Sequence, residues 1–469
     1  MSHEIKEDYT KQYIFPPCIE DWVPEDHPAR FVRDFVDHID FKKYGFKEFR
    51  GTEGNPHYAN SMQLKIWLYG YFNKIRSSRG LERMCNTDVG AIWLTGNHTL
   101  DHNTIWRFFD RNKKAIQEVL LKVTFVAQMN GLIGMVLHAL DGTKIQAQIS
   151  DKSGWHSPSM VKKLREGIKE VMKEIEGNER SDGFNYLLPE EVKDKTKRIE
   201  GIKSALKEMD KIGKKHLHPK DKDARMMKHG KGKSFCFNAQ AVVDEESGLI
   251  IAEDVTNDES DNNMLVPMID EVEENLGEKA EETVADGGYY SPEQLVKAEE
   301  KGLDVLVNIS RQIEPKTGGK KFHKSRFKYD EDKDVFICPL NKELTFERIK
   351  DNSQKKYKVR VYRCHHWKDC PENTNCSNDK MGRSIELLPH HEVLQRQIRK
   401  QKEPGNKEIL AKRKQIVEPV FGIIKEVMGF RRFTVRGLEN VKTQWSLICT
   451  SYNLRKLFKV WTAGKLVFE

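Results

Sequence analysis

The feature that most restricts the fold is a change of hydrophobic period at Gly134. Up to Met129 the apolar residues repeat as they do on helices. One stretch, Ala29 to Ile39, is apolar at Phe31, Val32, Phe35, Val36 and Ile39. A second stripe joins Leu64, Trp67, Leu68, Tyr71, Phe72 and Ile75, and a third Ile105, Phe108, Phe109 and Ile116. Breaks rich in Gly, Asn and Asp fall at Asn86–Gly90 and Gly96–Asn103. Short helices with tight breaks, carrying Arg76, Arg79 and Arg107, fit a helix-turn-helix-like bundle that meets DNA, although small bundles arise for many other reasons.

After Gly134 the texture is that of a sheet. MVLHALDGTKIQAQ opens as a strand ending near Asp141. Two charged segments of helical period, Met160–Ile175 and Val192–Ile212, joined around Gly177–Pro189, predict a helical hairpin inserted between strands. SFCFNAQAVVD, a turn at Glu245–Gly248 and LIIAEDV predict a β-hairpin. A helix (Met264–Leu276), a strand (ETVADGG), a helix opened by Ser291-Pro292 and a strand (DVLVNI) follow. This order predicts a mixed sheet with helices, an α/β or α+β core. Beyond it a long helix runs from about Glu408 to Met428, with Pro419 expected to kink or break it.

The charge is concentrated in one place. The chain carries a net +8, yet Arg311 to Lys414 alone holds 27 Lys and Arg against 15 Asp and Glu, leaving the remainder slightly acidic. Such a block is the electrostatic footprint of a polyanion-binding surface, or a solvated lysine-rich insertion. Phe322, Phe327, Tyr329, Tyr357, Tyr362 and Trp367 are threaded through it. No apolar run approaches the roughly 18 residues of a membrane span. The start, MSHEIKEDYTKQYIF, has no export signal, and eight Cys are too few for a disulfide scaffold, so a reducing, cytoplasmic setting is expected.

Three acids stand where elements end or expose a face. Asp141 follows MVLHAL and precedes Gly142; Asp286 follows TVA and precedes Gly287-Gly288; Glu418 lies in QIVEPVFGIIK. A carboxylate beyond a buried strand must be hydrated, paired or bound to a cation. Three together would make a hard-oxygen site for Mg²⁺, and two ions about 3.5–4 Å apart drive phosphodiester chemistry. Singly, each is equally a turn residue or an exposed helix acid, and periodicity does not bring them together.

The motifs HALDGTKIQA, ETVADGGYYS and IVEPVFGIIKEVMGFRRF resemble the three signature regions of DDE-type bacterial insertion-sequence transposases. CIEDWVPEDHPARFVRDFVDHID and MQLKIWLYGYFNKIRSSRGLER are similar to the InsH-type N-terminal domain of that family. The resemblance implies a helical DNA-binding domain at 1–130 and a ribonuclease H-like catalytic domain at 131–469, interrupted by the hairpin at 155–215 and a basic, Cys-containing insertion at 311–405. It implies Asp141, Asp286 and Glu418 as catalytic residues holding two Mg²⁺ or Mn²⁺ ions, with cleavage at the element's ends and strand transfer into target DNA. It further implies double-stranded DNA as partner, a homodimer that synapses two ends, and a nucleoid-associated bacterial protein. The alternative is a catalytically retired, transposase-derived DNA-binding protein; a stand-alone nuclease of the same fold is a third reading.

Some relatives carry Tyr-x2-Arg-x3-Glu-x6-Lys around the glutamate. Lys425 keeps the last position, but Lys414 and Ala411 replace the Arg and Tyr, and Arg413 is a candidate substitute. Lys425, two helical turns beyond Glu418, is expected on the same face as a phosphate contact, and Lys144 is another candidate or an ordinary surface lysine. Cys338, Cys364, Cys370 and Cys376 crowd the basic block with spacing C-x25-C-x5-C-x5-C. They are either a structural zinc site, with His365 and His366 as spare ligands, or free thiols in a loop.

Overall fold

The computed structural model describes residues 18–47, 57–179, 190–309, 322–352 and 357–468. The N-terminal MSHEIKEDYTKQYIF, most of the expected Gly177–Pro189 turn and the start of the basic block at Arg311 lie outside the described residues.

Among the described residues seven α-helices precede the first strand: α1 (Pro28–Asp37), α2 (Asn60–Phe72), α3 (Ser78–Thr87), α4 (Val89–Leu94), α5 (His102–Arg111), α6 (Lys113–Gln117) and α7 (Val119–Met129). The polar breaks in the sequence become caps. Asp88 accepts from the Ala91 N–H at the start of α4, and Asp101 from the N–H groups of Asn103 and Thr104 at the start of α5. Helix α2 exceeds its apolar stripe: from Gln63 to Phe72 every residue except Lys65 is buried.

The main sheet has the order β4-β5-β1-β7-β8, with β6 also paired to β5. Its strands are β1 (Leu137–Gln146), β4 (Arg225–His229), β5 (Gly232–Asp244), β6 (Ile250–Thr256), β7 (Glu282–Ala285) and β8 (Val305–Val307). The central strand β1 is antiparallel to β5 and parallel to β7, and β7 is parallel to β8. Helices α10 (Leu265–Leu276) and α11 (Pro292–Glu300) make the connections between β6, β7 and β8. Ser291 stands at the cap position of α11 with Pro292 inside, but its hydroxyl donates to Glu293 rather than capping the helix. Between β1 and β4, the paired strands β2 (Trp155–His156) and β3 (His216–Leu217) form the base of the helical hairpin α8 (Ser157–Glu179) and α9 (Glu190–Ile212), as expected.

Strand β1 does not end near Asp141. It continues to Gln146, paired residue by residue with β5, while its pairing to β7 stops at Leu140–Ala285. Gly142, Lys144 and Gln146 alternate with the buried Thr143 and Ile145. The second half of the strand is therefore two-faced, unlike the apolar first half.

The basic block folds as a second, antiparallel sheet, in the order β13-β12-β11-β10-β9. Its strands are β9 (Lys328–Asp330), β10 (Val335–Ile337), β11 (Glu343–Asn352), β12 (Tyr357–Arg363) and β13 (Ser384–Leu387), with the single turn α12 (Asn373–Cys376) before β13. Phe322, Phe327, Phe336, Leu344, Tyr362, Cys364 and Ile385 form its separate core. The threaded aromatics are thus largely interior packing. The segment that packs apart ends near Leu387, short of 405: α13 (His391–Lys402) returns to the main sheet, where Arg396 grips Glu299 of α11 and Lys400 donates to the Val305 carbonyl.

Helix α14 (Asn406–Gly422) lies against β1, β7 and β5. It passes through Pro419 without a break, and the irregularity comes later, as a π-turn over Ile423–Val427. The last helix, α15 (Leu438–Thr462), escapes a reading by apolar period because it is buried all round from Thr443 to Leu454, with Thr443, Gln444, Ser446, Thr450, Ser451 and Asn453 fully buried among its apolar residues. It packs on β6 and on α2, α6 and α7, so the N-terminal helices and the sheet share one continuous core across the expected division at 130. Gln444 donates to the Tyr71 hydroxyl, and Asn453 both accepts from the Ile250 N–H at 2.9 Å and donates to the Ile250 carbonyl at 2.7 Å. Asn453 thereby covers the free edge of β6. Asn453→Ala leaves two buried backbone groups unpaired and is expected to cost about 3 kcal/mol, measurable as a lower urea midpoint with unchanged slope.

Candidate active site

Asp141 and Asp286 come together because of the register of two parallel strands. Leu140 pairs with Ala285, so the next residue on each chain is an aspartate, one in mid-strand on β1 and one just past the end of β7. Each carboxylate is steadied by a following backbone N–H: Gly142 donates to Asp141 Oδ1 at 2.9 Å and Gly288 to Asp286 Oδ1 at 2.7 Å. Burial, with the neighbouring Asp286 adding to it, holds the Asp141 carboxyl above the usual carboxylate range. Arg413 of α14 opposes this, with Nη1 standing 2.8 Å from Asp141 Oδ2.

Arg413 is buried and its guanidinium is engaged by Asp141 rather than turned to solvent. Lys414 is exposed and Glu418 is exposed. Glu418 stands five positions beyond Arg413, which sets their side chains about 140° apart around the helix. The structure thus brings Asp141 and Asp286 together and places Glu418 on the same docked helix but on its solvent side. Among the described residues no three His, Cys, Asp or Glu side chains stand close enough to hold one metal ion. The two aspartates nevertheless fit a hard divalent cation, since an ion between them would relieve the repulsion and desolvation that Arg413 and the Gly142 N–H now offset only in part.

The other expected contacts divide by burial. Lys425 is half-buried and donates to the Thr143 hydroxyl, two residues beyond Asp141. Lys425 lies within the π-turn at Ile423–Val427 and turns inward to Thr143, whereas Glu418 is exposed. Lys144 pairs with Asp261 at 3.4 Å. Arg76 donates to the Met428 carbonyl and lies 5.3 Å from the centre of the Phe430 ring, joining the helical bundle to the loop after α14. Arg79 and Arg107 are exposed. In the small sheet, Arg360 pairs with Asp334 and Arg363 with Glu347 and Asp379, so part of the basic block's charge is used internally.

Two features had no sequence signal of their own. Past the end of β1, Lys152, His218, Lys220, Arg432 and Arg436 line a groove of about 470 Å³. Arg432 donates to the Gln146 side chain at 3.0 Å and Arg436 to the Gln148 carbonyl at 3.0 Å, which ties the groove to the strand that carries Asp141. The second feature is Asp261, in the loop between β6 and α10, which accepts hydrogen bonds from Asn238 and Gln240 of β5. A larger cavity of about 750 Å³, between α11, α13 and the small sheet, is lined by Glu299, His391 and Arg396 among others and by none of these acids.

The four clustered cysteines form no disulfide and lie in the small sheet and its loops. Cys338, Cys364 and Cys376 pack around its core, and the Cys338 sulfur accepts from the N–H groups of Leu340 and Lys342, both at 3.3 Å.

Residues 337–458 match the family model described as Transposase DDE domain, and residues 17–111 match Transposase domain (DUF772). The first match includes Glu418 and Arg413 and begins beyond both aspartates; the second spans α1 to α5. No curated protein matches the chain. Among the described residues no helix is long and apolar enough to cross a membrane.

Proposed function

We propose that this chain, identified by its two domain matches as a DDE-type insertion-sequence transposase, cuts DNA at the ends of its element and joins the freed 3′ ends to target DNA. The observation that carries the reading is the adjacency of Asp141 and Asp286 on neighbouring parallel strands beneath α14. A central strand antiparallel to one neighbour and parallel to the other supports a ribonuclease H-like core.

Transposase DDE domains depend in general on divalent metal, and here Asp141, Asp286 and Glu418 would hold it, as a pair of Mg²⁺ or Mn²⁺ ions. Such ions activate the attacking water or 3′-hydroxyl and stabilise the leaving oxygen. The protein's own groups prepare the site. Arg413 and the Gly142 N–H fix Asp141 in one orientation, and the Gly288 N–H fixes Asp286. Exposed Arg79, Arg107 and Lys414, with Lys152, Lys220, Arg432 and Arg436 of the groove, are suited to the phosphates of element ends and target. Two protomers would pair to hold two ends.

The test is strand cleavage and joining by the purified protein on DNA carrying the element's own ends, with Mg²⁺. Cleaved ends and strand-transfer products are expected. Binding without cleavage would favour the retired DNA-binding descendant, and cleavage without joining the stand-alone nuclease.

A further inference from the structure

Asp261 belongs to none of the three signature regions, yet the residues of two of them are shaped around it. Its Oδ1 accepts from Asn238 Nδ2 at 2.6 Å and Gln240 Nε2 at 2.8 Å, and Lys144 Nζ stands 3.4 Å away. Asn238 and Gln240 are fully buried, so the carboxylate is held by a rigid part of β5. Gln240 in turn accepts from the hydroxyl of the buried Tyr289, three residues past Asp286.

The glycines after both aspartates open toward this same group. A Cβ at Gly142 would lie 2.9 Å from Asp261 Oδ1 and 2.5 Å from Gln240 Nε2. A Cβ at Gly288 would lie 2.8 Å from Asp286 Oδ1 and 3.2 Å from Asp261 Oδ2. Real Cβ contacts are essentially never shorter than 3.0 Å, so the Gly142 position admits no side chain without displacing these groups. Asp261 therefore sits between the Asp141 and Asp286 segments, with one oxygen bound to β5 and the other beside Gly288, two residues past Asp286.

We propose that Asp261 is a positioning residue of the acidic site: its carboxylate sets the spacing of the Asp141 and Asp286 segments, and its charge strengthens the attraction of the pair for a divalent cation. This rests on the metal-dependent reading above. The charge is the distinguishing element. An asparagine at 261 could still accept from Asn238 and Gln240, so a purely structural residue would tolerate the exchange. Lys144 is the counter-ion that tempers Asp261, and its removal should act in the opposite direction.

The experiment is Mn²⁺ binding to the full chain without DNA, followed by calorimetry and by the manganese paramagnetic resonance signal. Asp261→Asn is expected to weaken binding by about 10–100-fold, the range typical of a group that supports metal ligands from the outer sphere. Lys144→Met is expected to tighten it severalfold. A structural role alone cannot produce opposite signs, and the lysine variant keeps the test decisive if the asparagine variant folds poorly. Asp286→Asn, measured in parallel, separates the two levels of the argument. If it abolishes Mn²⁺ binding while Asp261→Asn and Lys144→Met bind like the wild type, the positioning role is overturned and the metal reading stands. If the wild type binds no Mn²⁺, both fall.

Discussion

Asp286→Asn is expected to abolish divalent-metal-dependent cleavage and strand joining while leaving binding to the element's ends nearly unchanged. The amide oxygen can still accept the Gly288 N–H that steadies Asp286 Oδ1 at 2.7 Å, so the loop keeps its shape. What is lost is one of two adjacent negative charges. Asp141 loses a repulsive neighbour and its carboxyl moves back toward the ordinary range, but the proposed metal site would lose one of its two adjacent strand-end carboxylates. The loss should far exceed the about 10–100-fold typical of an outer-sphere partner. The measurement is a single-turnover cleavage assay at saturating protein, with end binding followed separately by gel shift. Cleavage retained by this variant would remove Asp286 from the chemistry.

The aspartate pair was legible only through the family resemblance, since a lone aspartate ahead of glycine at a strand end reads equally as a turn residue, and the register of β1 and β7 is what sets the two side by side. The β5–β6 hairpin and the inserted helices were legible from their own residues, since each has a clear period and a polar break. Helix α15 was not, because Gln444, Ser446, Thr450, Ser451 and Asn453 occupy positions that an apolar period would assign to solvent. The burial of Gln444, Ser446 and Asn453 is compensated by partners far away in sequence, namely Tyr71, Gln117 and Ile250. The small sheet was equally hidden, because its strands carry charges that meet only across the fold, as Arg360 meets Asp334. Spacing also could not decide which face of α14 meets the sheet. It made Arg413 a candidate phosphate contact, whereas the register of the helix turns it onto Asp141. Asp261 lay between two motifs, and only the glycines at 142 and 288 recorded the space it needs.

Arg413→Met should separate the protein's own handling of Asp141 from the metal's. Arg413 is 7% exposed and its partner's side chain 18%, so the pair is well shielded from water. Removing one partner of such a pair leaves a buried charge, a change that costs about 3 kcal/mol where burial is deep. The pH dependence gives the sign. The Asp141 carboxyl already titrates above its ordinary 3.8 because of burial, and Arg413 is the main influence pulling it down. Without Arg413 it rises further. In acid, where Asp141 is protonated, the variant should melt close to the wild type; the deficit should grow as pH rises through the elevated value, then level off once the carboxylate is fully charged. Because the proposed chemistry needs that carboxylate ionised, the acid limb of the cleavage profile should move to higher pH in parallel. Added Mn²⁺ should raise the melting temperature of the variant more than that of the wild type, since the ion takes over the compensation the guanidinium gave. Equal metal stabilisation in the two proteins, with an unshifted acid limb, would mean that Arg413 and the ion do not compete for the same carboxylate.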